Sequence, residues 1–181
     1  RGRIAPAETA VTAKPPDDSR RDGVPLWLAL SGDNGHQVHD RLAGHPWARL
    51  AGVAEFPRDK LPPSLRDSEE VREYPDLDAL LADPRVGLVV LCSPRRSEQA
   101  EHAIRSLRAG RHVYAEKPCA LTEAGLNAIL GEAARAGRMF REMAGTAFEQ
   151  PYLAMREIVR SGRLGRVVQV IAEKSYPYHG R

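Results

Sequence analysis

Apolar positions follow two alternating patterns between residues 24 and 145. Short, nearly continuous apolar runs are typical of strands buried on both faces, whereas apolar side chains that recur every three or four positions are typical of amphipathic helices. The strand-like runs are Leu26–Leu30, Leu50–Ala54, Val86–Cys92, His112–Ala115 and Met139–Met143. This alternation predicts an α/β fold in which βαβ units build a doubly wound parallel sheet.

Helical patterns fill the intervals between these runs. They comprise a helix that carries Val38 and Leu42, and helices over residues 65–71, 76–82, 97–109 and 121–136. Gly110 and Gly137 stand where the last two helices should end, because glycine readily adopts the left-handed backbone of a helix C-terminus. Thr122 is the expected N-cap of the last helix, since its hydroxyl can accept from a free backbone N–H.

The two ends of the chain follow neither pattern. Residues 1–23 are rich in Ala, Pro, Thr, Asp and Arg without hydrophobic periodicity, which predicts a disordered tail. Beyond residue 145, a helical stretch over residues 152–161 is followed by a turn and a strand-like run, Val167–Ala172. We therefore expect an α/β domain over residues 24–145 and the start of an incomplete α+β second domain over residues 146–181.

Composition narrows the class of protein. The chain has 181 residues and a net charge of +3, with no block of like charges, so nucleic-acid binding has little support. Its two cysteines, Cys92 and Cys119, match no metal-ligand spacing, and no disulfide framework is expected, which favours a cytoplasmic protein. No apolar run approaches the length needed to span a membrane.

The turn after the first strand is a candidate phosphate site. A strand, a glycine-containing turn and a helix form the unit that holds a dinucleotide pyrophosphate, because N–H groups and the helix dipole favour anions there. This chain offers Gly32, Asn34 and Gly35 but lacks a third glycine in register, and Asp33 brings an unfavourable negative charge. An ordinary tight turn that uses Gly and Asn for positive φ is the alternative.

Glu55 ends the second strand, 23 positions after Gly32. An acid at this place can accept hydrogen bonds from both adenosine ribose hydroxyls, which favours NAD over NADP. The alternatives are an exposed loop acid, or a 2′-phosphate site at Arg58 and Lys60.

Ser93-Pro94 breaks the strongest strand pattern. The break falls at the carboxyl edge of the sheet, where ligands bind in open α/β sheets. Both residues are therefore candidate cofactor contacts.

The stretch Ala115-Glu116-Lys117-Pro118 follows the fourth strand-like run. Proline fixes its own φ and favours extended backbone in the preceding residue, so the lysine side chain should point in a defined direction beside a carboxylate. An exposed Glu-Lys pair at a turn is the alternative.

The histidines are assigned structural roles. His36 and His39 fall at i, i+3 on the first predicted helix, but no third ligand is evident and no metal site is expected. They are interpreted as helix-surface or capping residues, and His102 and His112 likewise as structural.

Taken in order, these motifs resemble the Gfo/Idh/MocA oxidoreductases over roughly residues 24–181. The resemblance rests on Ser93-Pro94, a helix, and then Ala109–Pro118 with its Glu-Lys-Pro sequence, together with Ile158–Val167, which contains Gly162-Arg163-Leu164-Gly165. It implies a Rossmann-type domain that binds NAD or NADP, and an NAD(P)-dependent dehydrogenase of sugars, inositols or related polyols. It also implies that full-length relatives form homo-oligomers through the second domain.

The resemblance assigns roles to individual residues. Lys117 would hydrogen-bond the reacting hydroxyl and help move its proton, and Glu116 would orient that lysine near the nicotinamide. The expected cofactor contacts are Gly32, Asn34, Gly35, Glu55, Ser93, Pro94, Glu116 and Lys117. A non-catalytic, cofactor-sensing or scaffold protein of the same fold is the alternative.

Overall fold

The computed structural model describes residues 25–145, 149–173 and 175; the tail predicted over residues 1–23 lies outside them. Six parallel strands form one sheet. They are β1 (Leu26–Ser31), β2 (Ala48–Ala54), β3 (Arg72–Tyr74), β4 (Leu88–Leu91), β5 (His112–Ala115) and β6 (Phe140–Glu142). Their order, β3-β2-β1-β4-β5-β6, is that of a doubly wound Rossmann sheet, and the predicted fold class is confirmed.

Five α-helices accompany the sheet among the described residues. They are α1 (Pro63–Arg66), α2 (Leu77–Ala82), α3 (Gln99–Arg108), α4 (Glu123–Ala136) and α5 (Tyr152–Arg160). The Thr122 hydroxyl accepts from the N–H of Gly125, and Gly137 ends α4 at φ +60°, so both predicted ends of this helix are confirmed.

The sheet is buried on both faces because its strands carry apolar side chains in alternating directions. Ala29, Val89 and Val113 face the helices α2, α3 and α4 in one core. Leu30, Val53 and Val90 face the opposite way, into a second core closed mainly by the segment between residues 56 and 71. Helices thus cover one face, while short turns and loops cover much of the other.

Four elements differ from the sequence prediction. The helix expected over residues 65–71 is only the four-residue helix α1, Pro63–Arg66. The helix expected over Val38 and Leu42 is only a three-residue 3-10 helix, His39–Arg41, since Gly44 and Pro46 soon interrupt it. The short strand β3 was not predicted, because its Arg-Glu-Tyr sequence has the polar character of a sheet edge. The hydrogen-bonded pairing with β2, and not an apolar pattern, makes this segment a strand.

The prediction of a strand at Val167–Ala172 was wrong: these residues pair with no strand, and Val168 and Ile171 are more than 80% exposed. A strand needs a hydrogen-bonded neighbour, and the described residues offer it none. Among those same residues, no helix is long and apolar enough to cross a membrane.

The strand order reverses between β1 and β4. The connection after β1 runs to β2 on one side of this pair, and the connection after β4 runs to β5 on the other side. Such a switch point opens a crevice at the carboxyl ends of the strands. Residues 32–36 and 93–96 leave β1 and β4 there, and Glu116 follows β5 at the same edge.

Candidate functional site

The turn after β1 is held tightly against the end of β4. Gly32 adopts φ +75°, and a Cβ at this position would lie 2.1 Å from the carbonyl oxygen of Cys92. The N–H of Gly32 donates to Ala54, and the N–H of Asn34 donates to Cys92 at 3.2 Å. The positive φ that the tight-turn alternative expected of Gly and Asn is found at Gly32 and Gly35 but not at Asn34. At Gly32, close packing against the neighbouring strand also excludes a side chain.

The Glu116 carboxylate reaches into the same turn. It is 2% exposed, and its Oε2 accepts from the backbone N–H of His36. Its Oε1 accepts from the N–H of Lys117 at 2.7 Å. Burial alone would raise the pKa of Glu116, but the hydrogen bonds from His36 and Lys117 outweigh it and hold the pKa at about 2. Glu116 is therefore a fixed negative charge at neutral pH.

Lys117 and His36 meet on this carboxylate. The Lys117 ammonium lies 3.4 Å from Oε1 of Glu116 and 3.3 Å from Nδ1 of His36. The same Nδ1 lies 2.7 Å from Oε2 of Glu116. Lys117 is 53% exposed and His36 is 78% exposed, so both face solvent above a buried charge. The expectation that a carboxylate holds this lysine is met, and the histidine is an additional partner.

The placement of His36 and His39 on one helix was wrong. His36 belongs to the turn, because the 3-10 helix begins only at His39. His39 packs its ring against Phe56 at 5.2 Å between centroids. Sequence reasoning missed the role of His36 because its partner, Glu116, lies 80 positions away.

Gln99 joins the loop after β4 to the Glu-Lys-Pro segment. This fully buried side chain donates to the carbonyls of Glu116 and Pro118, and its Oε1 accepts from the N–H of Ser93 at 3.3 Å. Sequence reasoning missed it because a glutamine on an amphipathic helix resembles an exposed residue. Its burial fixes the two loops relative to each other.

Ser93 and Pro94 border the crevice as expected. Ser93 is buried, and its Oγ lies 3.0 Å from Nδ1 of His102. The carbonyl of Pro94 accepts from the side-chain amide of Asn34 at 3.1 Å. Asn34 thus uses its side chain to join the two loops that face each other across the switch point.

Glu55 lies at the other end of the crevice, exposed, at φ +52° immediately after β2. It lines a polar cavity of about 360 Å³ with residues of α2, α3 and the loop after β4. The remaining lining residues are Asp76, Leu77, Asp78, Arg95, Glu98, Glu101, His102 and Arg105. Carboxylates outnumber guanidinium groups in this cavity.

The cations suggested for a 2′-phosphate have other partners. Arg58 donates to the carbonyls of Arg66, Val71 and Ser68 and so ties the loop between β2 and β3 together. Lys60 forms an ion pair with Asp33 in the glycine turn. That pair also compensates the charge that made Asp33 unfavourable beside phosphates.

Metal and thiol chemistry have no support at this edge. The described residues contain no group of three or more His, Cys, Asp or Glu side chains arranged to hold a metal. Cys119 follows the Glu-Lys-Pro segment, but burial raises its pKa to about 11, so it remains a thiol at neutral pH. The N–H of Cys119 donates to Oε1 of Glu142 at 3.0 Å.

A nicotinamide dinucleotide fits the donor set at both ends of the crevice. Glu55 offers a carboxylate in an open polar cavity, and Lys117 offers a solvent-facing ammonium. The middle of the crevice is less suited to the pyrophosphate of the dinucleotide, because the N–H groups of Asn34, Gly35 and His36 already donate to groups of this chain. A pyrophosphate there would use side-chain cations or displace Glu116 from the turn.

Known proteins with similar sequences are oxidoreductases. Residues 34–143 match a family model described as an oxidoreductase family with an NAD-binding Rossmann fold. The uncharacterized oxidoreductase YhhX of Escherichia coli is 35% identical, over 56% of this chain and 29% of its own. Inositol 2-dehydrogenase 2 of Saccharopolyspora erythraea is 29% identical, over 68% of this chain and 36% of its own. The chain thus spans about a third of the length of these two relatives.

A solved structure shares the same architecture. It is a putative oxidoreductase from Yersinia pestis, with a TM-score of 0.65 and 25% identity, covering 80% of this chain and 41% of that one. The match extends the similarity from sequence motifs to the arrangement of the sheet and its helices.

Proposed function

The chain belongs to the Gfo/Idh/MocA oxidoreductase family, and on that premise we propose that it is an NAD(P)-dependent dehydrogenase of a sugar, inositol or related polyol. The observation that carries the proposal is the position of Lys117. Its ammonium stands at the carboxyl edge of the sheet, where α/β sheets bind ligands, and is held by the buried Glu116 carboxylate. The inositol 2-dehydrogenase among the relatives supports the substrate class.

Different residues of the crevice would contact different parts of the cofactor. Glu55 would accept hydrogen bonds from the adenosine ribose, and Ser93 and Pro94 would border the dinucleotide where it crosses the switch point. Gly32, Asn34 and Gly35 would shape the turn below the phosphates. When bound, the nicotinamide supplies the chemistry of a hydride acceptor or donor.

Lys117 would act on the oxygen of the reacting carbon. In the direction of oxidation, it would hydrogen-bond the substrate hydroxyl and take its proton as the carbonyl forms. In the direction of reduction, its ammonium would stabilise negative charge on the carbonyl oxygen and donate the proton. Glu116 would keep the Lys117 side chain in place for both roles, as the neutral amine that takes the proton and as the ammonium that returns it, because the charge of Glu116 is fixed at neutral pH.

One observation favours a non-catalytic, cofactor-sensing or scaffold function as the second candidate. The turn lacks a following α-helix, and three of its consecutive N–H groups are engaged within the chain. A site of this kind would bind phosphates more weakly than an open glycine turn with a long helix behind it.

Calorimetric titration with NADH and NADPH, followed by a turnover assay over a panel of polyols, tests the proposal. We expect saturable binding of a nucleotide and turnover of at least one polyol. The Lys117→Met variant should bind nucleotide within about threefold of the wild type but lose at least about a hundredfold in turnover. Lys117→Arg keeps the charge without a removable proton, so it should also lose turnover if proton transfer is the role.

Two outcomes contradict the proposal. A folded chain that binds neither nucleotide would rule out a dehydrogenase role for it. Saturable binding without turnover of any polyol, unchanged in Lys117→Met, would favour the cofactor-sensing alternative.

A further inference from the structure

His36 lies beside the catalytic candidate, Lys117, at the solvent-facing side of the site. Its Nδ1 lies 3.3 Å from the ammonium nitrogen of Lys117 and 2.7 Å from Oε2 of Glu116. The backbone N–H of His36 donates to the same Oε2, which fixes the root of the side chain. The ring itself is 78% exposed. A nitrogen base is therefore in hydrogen-bond reach of a lysine on one side and open to water on the other.

We propose that His36 is a proton relay that exchanges the proton of Lys117 with solvent. This inference rests on the proposed function, in which Lys117 exchanges a proton with substrate. The fold brings His36 to this position, because the turn that follows β1 lies next to the end of β5.

The transfer balances without any further reactant. With neutral imidazole protonated on Nε2, the lone pair of Nδ1 can accept from the Lys117 ammonium. The Nζ–H bond of Lys117 breaks, an Nδ1–H bond forms, and lysine becomes the neutral amine that can take a hydroxyl proton. The imidazolium then releases its Nε2 proton to water, and the reverse sequence returns a proton to lysine.

Glu116 favours the intermediate state of this relay. A carboxylate 2.7 Å from Nδ1 stabilises a proton on that atom and repels the lone pair that is present without it. The charge arrangement changes little during the transfer, because one positive charge moves from Lys117 to His36 beside the same carboxylate. Glu116 is thus a positioning residue for both partners.

The other charged groups around the turn leave this arrangement intact. Asp33 is paired with Lys60, and Arg96 donates to the backbone carbonyl of Asn34 and to Gln99. Among the described contacts, Glu116 and Lys117 are the charged partners that face the His36 ring. The relay therefore depends on three residues.

Solvent exchange of the lysine ammonium protons tests the relay without nucleotide or substrate. The chain has four lysines, Lys14, Lys60, Lys117 and Lys174, so ¹⁵N-lysine labelling gives a simple NMR spectrum. In the His36→Gln variant we expect exchange at Lys117 to slow by at least about tenfold. Added imidazole should restore part of that rate. Lys60 is the internal control, because it is 51% exposed, close to the 53% of Lys117, and pairs with Asp33 instead of a histidine.

An unchanged Lys117 rate in folded His36→Gln, or a Lys60 rate that falls by the same factor, would overturn the relay. Failure of the chain to bind nucleotide would contradict the proposed function and leave these exchange results standing.

Discussion

Glu116 and His36 are 80 positions apart in the chain, yet Oε2 of one lies 2.7 Å from Nδ1 of the other. The contact joins the turn after β1 to the end of β5 across the switch point of the sheet. Gly35 makes the approach possible, because a Cβ there would lie 2.4 Å from the same carboxylate oxygen. The candidate cofactor turn and the candidate catalytic lysine are therefore parts of one assembly, and a change in either should be felt by the other.

The first prediction concerns the acid stability of this assembly. The pKa of Glu116 is about 2 in the folded chain, below its usual 4.5, so its ionised form stabilises the fold. This contribution is complete above about pH 4.5 and is lost as the pH falls towards 2, and it amounts to about 3 kcal/mol. Glu116→Gln should lower the free energy of unfolding at pH 7 and flatten its decline below pH 4.5, as measured by urea unfolding at a series of pH values.

The control for this experiment is Glu69→Gln, which removes an exposed carboxylate. It should follow the wild-type pH dependence within about 0.5 kcal/mol. If Glu116→Gln and the wild type lost stability in parallel between pH 4.5 and 2, Glu116 would not be the stabilising charge that its contacts indicate.

The second prediction separates packing from backbone conformation in the glycine turn. Gly32 and Gly44 adopt similar backbone angles, φ +75° and +68°, but a Cβ at Gly32 would collide with the Cys92 carbonyl, whereas nothing lies within 4 Å of one at Gly44. Gly44→Ala should cost about 1 kcal/mol from backbone strain alone. Gly32→Ala should cost about 3 kcal/mol or more, because β1 and β4 must separate. Equal losses in urea unfolding would show that the collision is relieved at no cost.

The sheet could be predicted from the sequence because its strands are buried on both faces. Such strands read as continuous apolar runs, and each central run contains an observed strand. The edge strand β3 could not be found in this way, since Arg72 and Glu73 face solvent and only pairing with β2 defines it. The expected strand at Val167–Ala172 failed for the converse reason, because an apolar run forms a strand only beside a partner.

The candidate site was predictable as far as local sequence determines it. The order of Glu116, Lys117 and Pro118 identified the lysine and its carboxylate, because adjacent residues at a strand end share a location. The contacts of His36 and Gln99 depend on how segments that are distant in the sequence come together. Neither a histidine in a turn nor a glutamine on a helix indicates such contacts from the sequence alone. Both had to be read from the folded chain.

The third prediction concerns a buried carboxylate remote from the candidate site. Asp83 is 3% exposed and accepts from the Tyr74 hydroxyl at 2.6 Å and from the Arg85 guanidinium at 2.8 Å. The hydrogen bonds from Arg85 hold the pKa of Asp83 well below its usual value. Asp83→Asn should cost about 3 kcal/mol in the free energy of unfolding at pH 7, because Arg85 loses its charge partner. Asp67→Asn removes a surface partner of Arg66 and should cost far less, because solvent screens that exposed ion pair. Losses of equal size would mean that the burial of Asp83 adds nothing.

The last prediction concerns the choice between NADH and NADPH. Glu55 shares its cavity with four other carboxylates, Asp76, Asp78, Glu98 and Glu101, whereas the cavity contains two guanidinium groups, Arg95 and Arg105. Both guanidinium groups are already paired, with Glu98 and Asp78, so a 2′-phosphate would enter a site with excess negative charge. Like charges brought together in this way weaken binding, and NADH should bind at least about tenfold more tightly than NADPH.

The Glu55→Gln variant tests this preference. It should narrow the ratio of the two affinities, because it weakens the binding of NADH and relieves the repulsion of the NADPH 2′-phosphate. Glu123→Gln, which removes the same charge from the first turn of α4, should leave the ratio unchanged in parallel calorimetric titrations. A ratio that favours NADPH in the wild type would show that a paired cation, Arg95, Arg105 or Lys60, leaves its carboxylate partner to bind the phosphate.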